Sequence, residues 1–247
     1  MTIDDLTSND IPALTELTQK IGWGYNDQNW VLFFKTGRFI GHRDVHGRPI
    51  SCSGMLQYGD TLAWLASFIV SPDHRRKGLA RALWEALAKR VKCPIGLVST
   101  DEGLPFYESL GFKKTHTVFK YTRPDGRGLT RLKIPVVPLS QSDLPAAVLL
   151  DRVSYQFPRT EMIQGKFLNS LGAFKIVKDN KLLGFSMSVL EGVQLCIGPV
   201  YAADNDSALE LILATADGYE GPIRMDINPE NESLRSGLES QGFLLER

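Results

Sequence analysis

The chain contains an internal repeat, and this feature restricts it to folds built from two similar units. A polar cap followed by a proline predicts a helix that begins near Asp10, and the same pattern returns around Asp143. The far ends of the two copies also correspond, because Glu108 to Phe112 is matched by Glu239 to Phe243. The two pairs of landmarks stand 133 and 131 residues apart. Such a constant offset indicates a duplicated unit.

Turn-forming and charged residues separate the two copies. Residues 123–128 combine arginine, glycine, proline and aspartate, and Pro135 and Pro138 follow them. We therefore predict a first domain over residues 1–123, a linker over 124–132 and a second domain over 133–247. The chain has 247 residues with 43% apolar content, which is enough to bury two ordinary cores.

The first copy carries a strand, a basic glycine loop and a helix in direct succession. Leu62 to Val70 is a short apolar run stopped by a proline, which predicts a buried strand. The loop that follows holds three cations and Gly78, and it leads into an amphipathic helix with apolar side chains at Leu79, Ala82, Leu83, Ala86, Leu87 and Val91. Unpaired N–H groups at a helix start attract anions, and a glycine lets a ligand approach them closely. The stretch therefore predicts an anion site.

The spacing of this loop is Arg75-x-x-Gly78-x-Ala80, which is neither a Walker loop nor a dinucleotide-binding glycine motif. A second strand, predicted over Ile95 to Thr100, leads to Gly103 to Phe112, a segment that carries a tyrosine and ends in Leu-Gly-Phe. In this order and at this spacing, the two motifs resemble the two signatures of the GNAT family of N-acetyltransferases. The resemblance is strongest over the first copy.

The resemblance implies an α/β (α+β) fold of two tandem GNAT-like domains, each with a mixed, largely antiparallel central sheet flanked by helices. It also implies an N-acetyltransferase that moves an acetyl group from acetyl-CoA to a primary amine of a small molecule by direct attack. The tandem arrangement is similar to a GNAT subgroup in which an active N-terminal domain precedes a degenerate one. In that subgroup the second domain would cover or shape the acceptor site.

Residues of the first copy correspond to the cofactor-binding positions of the family. The resemblance implies that pantetheine runs along the strand end and that the pyrophosphate lies on the loop, which together give the cofactor residues Phe68, Ile69, Val70, Arg75, Arg76, Lys77, Gly78, Leu79, Ala80, Thr100, Gly103 and Phe106. It further implies that Tyr107 lies beside the CoA sulfur and is the catalytic acid, because a phenol of pKa ~10 stays protonated at neutral pH. A packing role for this tyrosine is the alternative.

The acceptor site is less well marked. Trp23, Tyr25 and Asn26 follow the first helix, where the family builds part of its acceptor pocket. The same residues also suit a loop that is pinned to the core by its aromatic rings. Ser67, on the central strand, is a further candidate for contacting the substrate.

The general base is not identified by the sequence. Many relatives have a carboxylate on the central strand, but Leu62 to Val70 contains none. Asp60, Asp101 or Glu102 could lie near the path of a water held by Ser67 or Thr100, and the sequence favours none of them. The missing carboxylate leaves open a rival from another class, a non-catalytic sensor that binds acetyl-CoA and reports it through the second copy.

The second copy keeps the fold pattern but not the loop. An antiparallel hairpin is predicted over residues 173–189, and Val193 to Val200 corresponds to the central strand of the first copy. In place of the basic loop stands Ala202 to Ser207, whose aspartates would repel a pyrophosphate and suit a helix cap. Leu238 takes the position of Tyr107. We therefore predict that only the first copy binds the cofactor.

The two copies also differ in how they end. The first continues past Phe112 into a strand predicted over Lys113 to Tyr121, whereas the chain stops four residues after Phe243. Either the second domain lacks its last strand or the chain is truncated.

Composition excludes several classes of partner. Lys plus Arg equals Asp plus Glu at 28 each, so no overall field attracts nucleic acid or an anionic membrane. No apolar run approaches the ~20 residues that span a bilayer, and the acidic start does not match a signal peptide, so we expect a cytoplasmic protein. The three cysteines predict buried free thiols, and the four scattered histidines predict no metal site. The expected partner is a small-molecule amine, and the oligomeric state stays open.

Overall fold

The computed structural model describes residues 2–228 and 231–246, and the chain divides into two compact units. Unit 1 comprises Met1–Leu97 and Ser154–Gly165, and unit 2 comprises Val98–Val153 and Lys166–Arg247. Each unit therefore contains a segment from the other copy of the repeat. The predicted boundaries at 1–123, 124–132 and 133–247 describe the two copies along the chain, and as domain boundaries they stay a prediction.

Unit 1 is a mixed sheet with helices packed on it, formed by β1 (Ile3–Asp5), α1 (Ile11–Gln19), α2 (Asp27–Thr36), β2 (Gly37–His42), β3 (Ser51–Tyr58), β4 (Leu62–Val70), α3 (Leu79–Ala88) and β5 (Ile95–Gly96). The strands lie in the order β1-β2-β3-β4-β5. Neighbours are antiparallel except β4 and β5, which are parallel. The core includes the fully buried Trp30 of α2 and Phe39 of β2.

Unit 2 repeats this plan with two additional strands. Its elements are α4 (Leu104–Ser109), β6 (Phe119–Arg123), β7 (Val137–Pro138), α5 (Leu144–Tyr155), α6 (Thr160–Leu168), β8 (Gly172–Lys178), β9 (Lys181–Glu191), β10 (Gln194–Tyr201), α7 (Asn205–Ala216), β11 (Ile223–Ile227), α8 (Glu232–Ser240) and β12 (Leu244–Glu246), with α5 and α6 reaching into unit 1 at one end. The strand order is β12-β6-β11-β10-β9-β8-β7. Only β10 and β11 are parallel among these pairs of described strands. The order from β7 to β11 therefore matches that from β1 to β5.

The predicted hairpin of the second copy is confirmed as β8 and β9, which pair in antiparallel register. Its two turn residues, Asp179 and Asn180, have φ values of 51° and 59°. Short polar side chains tolerate this left-handed conformation, which matches the twist of the flanking strands.

The duplication extends to individual hydrogen bonds at the start of each copy. Thr7 N donates to Asp10 Oδ2 at 2.8 Å, and Ser140 N donates to Asp143 Oδ2 at 2.7 Å. Each of these carboxylates also binds a cation: Asp10 lies 2.7 Å from Arg43, whereas Asp143 lies 2.6 Å from Lys175. Since the other landmark of the repeat lies more than 90 residues away, these matched contacts independently support a common ancestor for the two copies.

The far end of each copy is closed by the same backbone turn. Phe112 N donates to Tyr107 O at 3.1 Å, and Phe243 N donates to Leu238 O at 3.1 Å. The glycine before each phenylalanine has φ of 91° or 80°, which a residue with a side chain adopts only with strain. The helix carrying Tyr107 and the helix carrying Leu238 thus end in one shared geometry.

A strand of the first copy lies in the sheet of unit 2. Strand β6, which follows the Leu-Gly-Phe segment of the first copy, pairs with β11 on one side and β12 on the other, antiparallel to both. Tyr121 of β6 is fully buried, and its hydroxyl donates to Glu239 at 2.7 Å. The strand predicted over residues 113–121 was therefore placed too early in the chain. Of the two alternatives for the end of the second copy, the structure contradicts a missing last strand, because Leu244–Glu246 forms β12.

A segment of the second copy in turn lies in unit 1. The ring of Phe157 stacks on Tyr58 with centroids 5.1 Å apart, and Ile163 is buried. A β-carbon at Gly165 would lie 2.2 Å from the side chain of Leu32, so a larger residue there would force Leu32 to shift. The core of unit 1 is therefore completed by residues that come from the other copy.

We expect Asp143→Asn to remove part of the acid sensitivity of the fold. Burial acts to raise the pKa of Asp143, but hydrogen bonds from Lys175 and Ser140 outweigh it and lower the pKa to about 2. Because the folded state holds this proton more weakly than the unfolded chain, the stabilisation is complete above about pH 4 and is lost as the pH falls towards 2. It amounts to roughly 2 kcal/mol.

The measurement is the free energy of unfolding of wild type and Asp143→Asn between pH 2 and pH 7. The exposed Asp60→Asn is the matched control and should follow wild type. If wild type and Asp143→Asn lost stability in parallel over this range, the ion pair with Lys175 would not be stabilising.

Candidate cofactor and active site

Strands β4 and β5 separate soon after they begin to pair. The parallel ladder joins Ala63 to Ile95 and Trp64 to Gly96 and ends there, because β5 ends at Gly96. On its other side β4 continues to pair with β3 as far as Val70. The second half of β4 therefore forms a sheet edge whose backbone groups can accept an added strand-like ligand. The predicted pantetheine residues, Phe68, Ile69 and Val70, lie on this edge.

A bulge interrupts β4 at Ser67. The register with β3 shifts between Cys52 and Gly54, and Ser67 has φ of 50°, which is strained for a residue with a side chain. The Cys52 thiol donates to the Ser67 carbonyl at 3.3 Å, and the Ser53 hydroxyl donates to the Ala66 carbonyl at 3.3 Å. Strand β3 therefore holds the bulge through two contacts, one to Ala66, which precedes it, and one to Ser67 itself.

The loop after β4 leaves the N-terminus of α3 open. Gly78 immediately precedes the helix with φ of 77°, and a β-carbon placed on it would meet no described atom within 4 Å. Arg76 has φ of 59°, and the side chains of Arg75, Arg76 and Lys77 are all exposed. The first turn of α3 contains no acidic residue. Three cations, an accessible helix dipole and free space before the first N–H groups suit a diphosphate.

The equivalent position in the second copy is closed by its own carboxylate. Asp204 precedes α7, and its side chain accepts from Ser207 N at 2.7 Å and from the Ser207 hydroxyl at 2.9 Å. The hydrogen bond from the Ser207 backbone lowers the pKa of Asp204, so the group stays ionised at neutral pH. The predicted capping role of Asp204 is confirmed. An anion would have to displace a bound carboxylate at this helix, whereas α3 has none.

The predicted catalytic tyrosine belongs to unit 2, on the short helix α4. The ring of Tyr107 lies edge-on to Phe106 and Phe112, with centroids 5.5 Å and 5.8 Å away. A β-carbon at Gly103 would lie 3.3 Å from this ring, so a small residue is needed there. Burial raises the pKa of Tyr107 to about 12. The phenol is therefore protonated throughout the neutral range and can donate its hydrogen.

The remaining predicted site residues divide between the two units. The structure brings Trp23, Tyr25, Asn26, Ser67, Phe68, Ile69, Val70, Arg75, Arg76, Lys77, Gly78, Leu79 and Ala80 into unit 1, and it brings Thr100, Gly103, Phe106 and Tyr107 into unit 2. Within unit 2 the Thr100 hydroxyl accepts from Gly103 N at 3.3 Å. The strand predicted to reach Thr100 ends at Gly96, so Thr100 lies on a loop.

The candidate acceptor residues are anchored to the core of unit 1. Asn26 caps α2, because its side chain accepts from Asn29 N at 3.0 Å and Asn29 returns the contact at 2.8 Å. The ring of Tyr25 packs edge-on against Phe33 at 5.3 Å and against Trp23 at 5.6 Å. These contacts agree with a loop pinned by its aromatic rings, and a contact of these residues with substrate stays a prediction.

The cysteines of the described residues are free thiols, and one of them contacts the central strand. All three cysteines are free, and burial raises the pKa of Cys52, so its thiol stays protonated and serves as a donor. Residues 2–228 and 231–246 contain no group of three or more His, Cys, Asp or Glu side chains that could hold a metal ion. Over the same ranges, no helix is long and apolar enough to cross a bilayer. The contact between Cys52 and Ser67 was not foreseen, since no sequence pattern marks the bulge.

The sheet plan occurs twice in the chain, and in the first copy the central strand splays from its neighbour and leads to an open helix N-terminus. This combination is typical of a tandem acetyltransferase, and comparisons with known proteins agree. Two family models described as "Acetyltransferase (GNAT) domain" match residues 35–114 and residues 147–246. An uncharacterized N-acetyltransferase of Bacillus subtilis (strain 168), YitH, is 31% identical over 240 residues, covering 94% of this chain and 84% of the relative. The chain belongs to the GNAT acetyltransferase family.

Solved structures show the same fold over nearly the full chain. A putative acetyltransferase from Pyrococcus horikoshii aligns with a TM-score of 0.80 at 15% identity, covering 99% of this chain and 85% of that one. A tandem GNAT protein from the clavulanic acid biosynthesis pathway aligns with a TM-score of 0.71 at 14% identity, covering 99% and 95%. The predicted fold class, two tandem GNAT-like domains with mixed, largely antiparallel sheets, is confirmed.

Proposed function

We propose that the protein transfers an acetyl group from acetyl-CoA to a primary amine of a small molecule, and that it binds one acetyl-CoA in the first copy. The observation that carries this proposal is the contrast between the two corresponding helices. Helix α3 begins at a left-handed glycine behind three exposed cations, whereas α7 is capped by Asp204. A diphosphate gains favourable contacts only at the first of these helices.

The proposed cofactor contacts follow the chain from the loop back along β4. The N–H groups at the start of α3 would hold the diphosphate, with Arg75 and Lys77 as counter-charges. The edge of β4 from Phe68 to Val70 that lies beyond its pairing with β5 would bind the amides of the pantetheine arm as if it were a neighbouring strand, with Arg75 Nε leaving the Val70 carbonyl. When bound, acetyl-CoA supplies a thioester whose carbonyl carbon can be attacked by a neutral amine.

The chain's residues would then serve binding, orientation and proton transfer. A neutral amine attacks, so as the C–N bond forms and the C–S bond breaks, the amine nitrogen must lose one proton and the sulfur must gain one. Tyr107 is the proposed donor to the sulfur, and its raised pKa keeps the hydrogen in place at every pH in the neutral range. Because β4 carries no carboxylate, we assign the amine proton to water rather than to a named side chain.

The test is amine-dependent release of the CoA thiol by the purified full-length chain. Candidate acceptors should include a polyamine, an amino acid, an aminoglycoside and a peptide N-terminus, and mass spectrometry should identify the acetylated nitrogen. Turnover with a small amine is the expected result. If the protein bound acetyl-CoA but acetylated none of these acceptor classes, the non-catalytic sensor would be favoured instead.

We expect Tyr107→Phe to lower kcat by about 10²-fold and to leave the dissociation constant of acetyl-CoA nearly unchanged. The ring remains packed between Phe106 and Phe112, so only the hydroxyl is lost. In wild type, ionisation of Tyr107 should not reduce kcat below about pH 11, because its pKa is about 12.

Tyr219→Phe is the matched control, since it also removes a tyrosine hydroxyl, one that donates to Val193 O at 2.7 Å. Its kcat should stay within about twofold of wild type. Full activity of Tyr107→Phe would mean that this tyrosine only packs.

A further inference from the structure

The backbone of Ser67 has a strained conformation that would favour glycine at this position. It stands within a strand, is 7% exposed and has φ of 50°. The other non-glycine residues with positive φ that the structure describes, Arg76, Lys133, Gln156, Asp179 and Asn180, lie outside the strands. Glycine would adopt the same conformation without strain. The presence of serine therefore calls for a reason that involves its hydroxyl.

The Ser67 hydroxyl has no hydrogen-bond partner among the described residues, although it is buried. Two neighbouring serines of β3 differ in this respect. The Ser53 hydroxyl donates to Ala66 O, and the Ser51 hydroxyl lies 2.8 Å from His42 Nδ1. A buried hydroxyl without a partner is costly, and such a group in a native protein calls for an explanation, of which a catalytic role is one.

The neighbouring strand β3 occupies the backbone carbonyl of Ser67, and the hydroxyl has no partner among the described residues. The Cys52 thiol donates to the Ser67 carbonyl at 3.3 Å, and Cys52 is itself fully buried. The contact lies where the register of β3 and β4 shifts, between Cys52 and Gly54. The carbonyl is therefore occupied from the β3 side, and the hydroxyl is the polar side-chain group that this residue can offer to a ligand.

The distance along β4 places Ser67 where the proposed function requires the acetyl group. Val70, next to the proposed diphosphate loop, and Ser67 are three residue steps apart along β4, a length of about 10 Å. An extended pantetheine arm that starts at the loop can cover this length, because its two amide units with their flanking carbons extend about as far as three residues at ~3.5 Å each. A thioester bound in this way would bring its carbonyl to the bulge.

We infer that Ser67 is a catalytic residue whose hydroxyl donates a hydrogen bond to the thioester carbonyl oxygen of the acetyl donor. This inference rests on the proposed function. As the amine nitrogen bonds to the carbonyl carbon, the π electrons move to this oxygen, where Ser67 stabilises the charge without giving up its proton. The electron pair then returns as the C–S bond breaks, and the sulfur takes a proton while the amine loses one. Ser67 ends unchanged.

The test compares Ser67→Gly and Ser67→Ala with wild type in the full chain. Glycine removes the hydroxyl but retains the observed φ without strain, so it separates the hydroxyl from the backbone conformation. For each protein we would measure kcat, the dissociation constant of acetyl-CoA and the infrared carbonyl band of bound acetyl-CoA labelled with carbon-13 at the thioester. A hydrogen bond to the carbonyl lowers the frequency of this band.

We expect both variants to lose kcat by about 10²-fold, to bind acetyl-CoA within a few-fold of wild type and to show the carbonyl band at higher frequency. Wild-type kcat and an unchanged band in Ser67→Gly would overturn the inference, even if Ser67→Ala were inactive or unfolded. Failure of the proposed function would be recognised in the wild type, which would then neither bind acetyl-CoA nor release thiol. In that case the inference about Ser67 would be overturned as well.

Discussion

Gly78→Glu is expected to weaken acetyl-CoA binding at least 100-fold, which corresponds to about 2.7 kcal/mol. The substitution has two effects at the start of α3. It forces a residue with a side chain into a φ of 77°, and it brings a carboxylate to the N–H groups that would hold the diphosphate. The second effect reproduces in the first copy what Asp204 does at α7, where the side chain accepts from Ser207 N at 2.7 Å.

Two further variants separate these effects. Gly78→Ala introduces the strain without the charge, and we expect it to weaken binding by less than tenfold. Gly47→Glu introduces both a charge and strain at a turn glycine with φ of 78°, and it should bind like wild type. The dissociation constants come from calorimetric titration, with thermal unfolding as a check that each variant is folded. Wild-type affinity of a folded Gly78→Glu would show that the diphosphate lies elsewhere.

The fragment 1–123 is expected not to fold by itself, although the repeat makes it look like a complete domain. Its last strand, β6, pairs only with strands of the second copy among the described residues. Tyr121 would lose its burial and its hydrogen bond to Glu239. Exposing a buried tyrosine of ~200 Å² costs about 5 kcal/mol, which is comparable to the stability of a small domain. The freed strand edges would also favour aggregation.

A cut chain supplies the control for this prediction. A protease site introduced at the exposed Arg127 and Gly128 would sever the chain after β6 without removing any strand. After cleavage we expect a single folded species on gel filtration and two bands on a denaturing gel. The hydrogen bonds of β6 in unit 2 and the packing of Phe157 and Ile163 in unit 1 would hold the pieces together. A soluble fragment 1–123 that unfolds cooperatively would show that neither β6 nor the core of unit 1 needs the second copy.

Local features could be predicted from the sequence because nearby residues determine them. The basic loop, Gly78 and the helix after it follow from composition and periodicity, and the structure places the glycine directly before α3 with positive φ. The capping role of Asp204 follows from its chemistry at the start of an apolar helix. The duplication could be found because both copies kept the residues that cap their first and last helices.

Pairing across long distances could not be predicted. Nothing in the pattern of β6 states that its neighbours are β11 and β12, since a strand's partners depend on the whole sheet. The bulge at Ser67 was hidden for a different reason: serine, unlike glycine, does not signal a left-handed backbone. Asn26 was predicted to line an acceptor pocket; the structure shows that it caps α2, and its contact with substrate stays a prediction. A single asparagine suits both roles equally well in sequence.

The central claim is that one copy binds the cofactor and the other kept only the fold. The most direct test is the stoichiometry of acetyl-CoA binding to the full chain by isothermal titration calorimetry, with the active protein concentration determined independently. We expect one site per chain. Two sites per chain would mean that α7 binds a diphosphate despite Asp204, and they would contradict a single cofactor site in the first copy.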